Sequence, residues 1–160
     1  MEEYKLENYR RDHPGKPLQL RSLNDQDIDW MISYIFQMIG VDMSEKSNEL
    51  IFSILTKVLS RKIYYDKDIS TDLLKELVGF DQENGESICM LFWSLEVGAD
   101  LLSVTELLQN WDYLWYPTSD EAAILLIPAN HRILLVTDHG YVGMISTNPT
   151  GKPVVKAAYH

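Results

Sequence analysis

From Trp111 to Thr147 the chain runs WDYLWYPTSDEAAILLIPANHRILLVTDHGYVGMIST, an aromatic and acidic loop followed by apolar runs separated by turns. Few architectures accept this pattern. Ala122–Ile127 is apolar throughout and stops at Pro128, and Ala129-Asn130-His131 is turn-like. Arg132–Thr137 is apolar again. Asp138-His139-Gly140 is a turn in which Gly140 can take positive φ. Tyr141–Ser146 reads as a third strand, Asn148-Pro149-Thr150-Gly151 as a further turn, and Pro153–Ala158 as a fourth, edge strand. Short strands joined by short turns make an antiparallel meander. Their unbroken apolar character implies burial on both faces or nearly so, which helices against at least one face can supply.

The residues before this stretch carry a different period. Residues 1–22 are polar and broken by His13-Pro14-Gly15-Lys16-Pro17, which reads as an irregular arm with a short helix around Glu3–Arg10. A helix is predicted over Asp25–Ile39, where Ile28, Met31, Ile32, Ile35 and Ile39 form one stripe and Gly40 is the stop. Further helices are expected over Glu45–Arg61 with Ser44 as cap, over Thr71–Val78 with Ser70 as cap, and over Gln82–Val97. A short one opens at the capping box Ser103-Val104-Thr105-Glu106 and runs to Asn110. Ile63-Tyr64-Tyr65 fits either a helix end or a short extended piece. The fold class that follows is α+β: about five helices in an N-terminal layer, packed on a C-terminal antiparallel meander of three to four strands. With no repeat and no linker composition, residues 1–160 read as one domain, mainly helical over 23–110 and mainly strand over 111–160.

A chain of 160 residues buries enough surface to fold without metal or disulfide. Cys89 is the single cysteine, which favours a reducing compartment. The first residues hold no apolar run that would make a secretory signal, and no run is long enough to span a bilayer, so the expected location is the cytoplasm. The net charge of −10 is unevenly spread. No Lys or Arg falls between Lys75 and Arg132, while ten acids do, from Glu76 to Glu121. Such a span repels nucleic acid and attracts basic partners, besides keeping the protein soluble.

Catalytic signatures are lacking. There is no glycine-rich phosphate loop, H-E-x-x-H, C-x-x-C or G-x-S-x-G. His131 and His139 sit in successive turns, which lie at opposite ends of a meander. Cys89 has no basic neighbour in sequence and reads as a buried helical residue. No catalytic residue, metal site or cofactor is assigned. The most unusual stretch is Trp111–Asp120, with four aromatics and two acids in ten residues. Aromatics with acids around them suit a protein interface. Asp112, Tyr113, Tyr116, Asp120 and Glu121 are therefore the candidate partner-binding residues, with Trp111 and Trp115 turned inward and Asp112 and Asp120 outward.

The pattern W-x-x-x-W-Y-P-x-S-D, followed by two apolar strands with a D-H-G turn, resembles small acidic bacterial immunity proteins, the cytoplasmic partners of secreted polymorphic toxins. The resemblance covers residues 111–147 and transfers no functional residue. It implies an inhibitor that covers a toxin's active surface, with no chemistry of its own and with a basic protein, such as a nuclease toxin domain, as partner. Two alternatives stand beside it. One is a small enzyme using carboxylates and His139. The other is a structural or regulatory subunit of an oligomer with the Trp111–Pro117 stretch as its interface.

Overall fold

The computed structural model describes residues 1–42, 45–65, 69–81 and 85–146. Its centre is one antiparallel sheet of seven strands among these residues: β1 (Leu20–Ser22), β2 (Arg61–Tyr64), β3 (Ile88–Ser94), β4 (Gly98–Ser103), β5 (Ala122–Ile127), β6 (Arg132–Thr137) and β7 (Tyr141–Ser146). They lie side by side in the order β1-β4-β3-β5-β6-β7-β2. The meander expected after Trp111 is present as β5, β6 and β7, with Ala122 opposite Thr137 and Arg132 opposite Ser146. The fourth strand expected at Pro153–Ala158 lies outside the described residues.

The two faces of this sheet are both buried. Cys89, Leu91, Trp93, Ala123, Leu125, Ile127, Leu134 and Val136 pack on one side, where the helices α4 (Thr71–Val78), α5 (Val104–Gln109) and α6 (Trp111–Leu114) cover them. Met90, Phe92, Ile124, Leu126, Ile133 and Leu135 pack on the other, under α2 (Asp25–Ile39) and α3 (Asn48–Val58). Successive residues of a strand point to opposite faces, so a strand covered on both must be apolar at every position. That is why β5 and β6 show no alternation.

It is also why the helix expected over Gln82–Val97, whose first three residues lie outside the described ones, is wrong over the rest. Ile88, Leu91, Phe92 and Leu95 match helical spacing only because nearly every residue of Ile88–Trp93 is apolar. The segment is β3, a turn follows at 95–97, and β4 begins at Gly98. Strand β3 pairs with β4 on one side and β5 on the other. The sheet thus draws four strands from residues before Trp111, not three or four in all from those after it.

The remaining helices follow their local signals. Asn24 caps α2 by accepting from the Asp27 N–H at 2.8 Å, and Gly40 ends it in the left-handed region. Ser70 and Ser103 cap α4 and α5. The second predicted helix is shorter than expected: α3 covers Asn48–Val58 with Ser47 as cap, and Arg61, its expected last residue, opens β2; Ser44, the expected cap, lies outside the described residues. The N-terminal arm contains a ten-residue helix, α1 (Glu3–Asp12).

Both sheet edges are short and basic. β1 exposes Arg21, and β2 exposes Arg61 and Lys62, with Arg61 held 2.7 Å from Glu76. Charge on a short edge strand discourages pairing with other chains. Within the sheet, Arg132 closes α4 from outside. Its Nη1 donates to the carbonyls of Glu76 (3.0 Å) and Leu77 (2.7 Å), and Asn130 Nδ2 donates to that of Val78 (2.6 Å). The last carbonyls of a helix need such partners. Removing the guanidinium in Arg132→Met should cost about 1–2 kcal/mol of unfolding free energy, read as a lower urea midpoint at unchanged m-value.

Candidate functional site

The aromatic loop is largely covered by α1. Lys5 is 1% exposed, and its ammonium lies 2.6 and 2.7 Å from the two oxygens of Asp120 and 3.0 Å from the Leu114 carbonyl. The same ammonium sits 3.8 Å from the ring centre of Trp93. Burial pulls the Lys5 ammonium below the usual lysine range, against Asp120, which holds it up. Tyr4 bonds Ser119 at 2.8 Å, Asn8 donates to Tyr116 at 3.3 Å, and Tyr113 donates to Asp12 at 3.2 Å. Tyr113 also meets the rings of Tyr9 and His13 edge-on.

These contacts correct the expected directions. Trp111 and Trp115 do point inward, stacked with ring centres 6.0 Å apart. Asp112 and Glu121 are exposed. Asp120, expected outward, is buried, because it also accepts from the Tyr116 N–H at 2.7 Å and so closes the loop on itself. Tyr113 and Tyr116 are half-covered by α1 rather than free to anchor a partner. A second acid of the cation-free span is spent in the same way. Asp100 is buried against the Met1 amino group at 2.8 Å, with Ser22 and the Trp93 indole N–H also donating to it. Both acids are buried and paired with a cation.

Three acids of that span, Glu96, Asp120 and Glu121, line a groove of about 610 Å³ at one end of the sheet, together with Glu2 and Glu49 from outside it. The first turn of α3 supplies Glu49 and Phe52; the β3–β4 turn supplies Glu96 and Val97. The loop before β5 adds Asp120, Glu121 and Ala122, and Glu2 and His139 complete the rim. Among the described residues no Lys or Arg lines it. The turn is fixed by Asn48, whose Nδ2 donates to Glu96 at 2.6 Å and whose Oδ1 accepts from the Leu95 N–H at 2.8 Å. The Asn48 bond holds the Glu96 carboxyl below its ordinary range. Glu2 stands 3.8 Å from Lys5. Among the described residues, Glu49 and Glu121 have no cation within ion-pair distance.

Of the groove's carboxylates, only Asp120 and Glu121 were legible as site residues. Glu96 lies in the cation-free span and carries that signal alone. Glu2, Glu49 and Phe52 come from distant segments, and nothing in their local sequence marks them.

His139 is 89% exposed and stands 3.6 Å from Asp138. It shares the groove with several carboxylates, whereas His131 lies at the other end of β6, as expected for successive turns. Among the described residues, no three His, Cys, Asp or Glu side chains converge as metal ligands. Cys89 is fully buried on β3, not on a helix, and burial pushes its thiol well above the usual range. Among the described residues no helix is long and apolar enough to cross a membrane.

Comparison with known proteins returns nothing: no family model, no curated protein and no solved structure matches the chain.

Two outcomes test this placement. Lys5→Met leaves Asp120 buried and uncompensated and should cost about 3–5 kcal/mol. Adding Asp120→Asn, which keeps the acceptor for Tyr116, should recover at least half of that in urea melts. Cys89 should resist a thiol reagent in the native protein at pH 8 and react stoichiometrically once urea unfolds it; fast native labelling would contradict its burial.

Proposed function

We propose that the protein is a non-catalytic binding domain whose acidic groove docks a basic protein, in the manner of an immunity protein that covers the active surface of a toxin such as a nuclease. The observation that carries this reading is the groove itself: a concave surface with carboxylates from four separate segments, no basic lining residue, and two carboxylates without ion pairs among the described residues. The resemblance of residues 111–147 to immunity-type proteins supports the same class.

The physics is that of charge complementarity. Carboxylates of one sign on concave walls concentrate their field outward and speed encounter with a basic surface. Rigid placement of Glu96 by Asn48 spares the ordering cost on docking. The same field disfavours nucleic acid.

The catalytic alternative draws on His139 beside Glu121 in one groove. A general base needs an orienting partner and a reacting group within hydrogen-bond reach. His139 is open to solvent and its nearest acid is its own neighbour Asp138. The oligomer alternative loses much of its surface, since α1 covers Tyr113 and Tyr116.

Wild-type protein and a Glu49→Lys/Glu121→Lys variant, each shown folded by circular dichroism, serve as bait in a source-cell lysate. The wild type should retain a basic protein that the variant loses. With that protein purified, the association rate should fall about tenfold between 50 and 500 mM salt and by a similar factor in the variant. An association rate indifferent to both would overturn the groove as the docking surface.

A further inference from the structure

The groove has a chemistry more specific than its charge. Its lining includes the apolar side chains of Phe52, Val97 and Ala122. Phe52 is half-buried, tilted against Phe92 with ring centres 6.3 Å apart, and Val97 is 38% exposed. Glu49, Glu96 and Glu121 line the same groove. The geometry points to one occupant, a long cationic side chain of the basic partner, lysine or arginine, laid with its stem on Phe52, Val97 and Ala122 and its charged head among the three glutamates. This rests on the docking function proposed above and names what the partner must bring.

Three observations carry it. First, Lys and Arg are the side chains that combine an apolar stem with a charged head, and they cover apolar surface while the head stays polar. A groove lined by aromatic and aliphatic groups together with carboxylates complements that combination of stem and charge. Second, the molecule solves the same problem internally a short way off. Lys5 lies over the Trp93 ring with its head on Asp120, and both Trp93 and Asp120 also border the groove. The outer side repeats the combination of aromatic ring and carboxylate, with no cation lining it among the described residues. Third, the rim is set in advance. Asn48 bonds both the Glu96 carboxylate and the Leu95 backbone, and Ser94 Oγ accepts from the Val97 N–H at 3.0 Å. A ready-made seat of this kind gains affinity by sparing the ordering cost.

The test uses the full chain, ¹⁵N-labelled, with hexa-arginine peptide and spermidine as separate probes at low salt. Hexa-arginine should shift the amides of Phe52, Glu96, Val97 and Glu121. Val97→Lys, which supplies a cation to the groove from an exposed turn and keeps a dispersed spectrum, should weaken that binding about tenfold. Shifts spread evenly over the acids of 76–121, with Val97→Lys binding as tightly as wild type, would overturn the side-chain seat and leave the docking function standing. Spermidine moving the groove amides at lower concentration than the peptide would overturn a protein side chain in favour of a free polyamine. No shift with either probe would overturn both the seat and the acidic groove as a docking surface.

Discussion

The central strands bury side chains on both faces, so each face needs its own helical cover. Leu91, Leu125 and Leu134 look toward α4 to α6; Phe92, Leu126 and Ile133 look toward α2 and α3. An antiparallel sheet with one wet face would alternate apolar and polar residues; this one cannot. The consequence reaches the site. With both faces taken and both edges guarded by Arg21, Arg61 and Lys62, the turns at the sheet's ends remain as the open surface. The groove forms at one such end, where the β3–β4 turn, the loop before β5 and the β6–β7 turn meet the first turn of α3.

A second constraint decides which acids reach that surface. A carboxylate carried into the interior must find a cation and further donors there. Asp120 finds Lys5 and the Tyr116 N–H; Asp100 finds the Met1 amino group, Ser22 and Trp93. The two cations, Lys5 and the Met1 amino group, come from the first helix and its approach, more than ninety residues earlier in the chain. By contrast, ion pairs such as Arg10–Glu3 and Arg11–Asp12 are exposed and contribute little. The few buried ionic contacts therefore do the positioning: they seat α1 on the aromatic loop and turn Glu121 outward beside it.

Legibility followed the physics of each element. The caps Ser70 and Ser103 and the stop at Gly40 act through neighbouring backbone groups, and they could be read locally. β5 to β7 could be read because Pro128 and Gly140 punctuate them. β3 could not, since Ile88–Trp93 is apolar at every position and satisfies helical and strand spacing alike. At the site, Glu121 was legible from its place after the aromatic loop. Asp120 was placed on the wrong side, because its partner Lys5 is 115 residues away and no local pattern announces it.

By itself, the sequence determined that this chain mixes helices with an antiparallel sheet, that its tryptophans at 111 and 115 turn inward, and that a long stretch of it bears acids without bases. Those properties depend on periodicity, composition and short-range bonding, all of which are local. Tertiary structure alone decided that β3 and β4 join the meander, that α1 covers the aromatic loop, and that Glu2, Glu49, Glu96 and Glu121 share one groove. Each of these is set by strand pairing or buried charge between distant residues, and such energies exist only once the chain has brought the partners together.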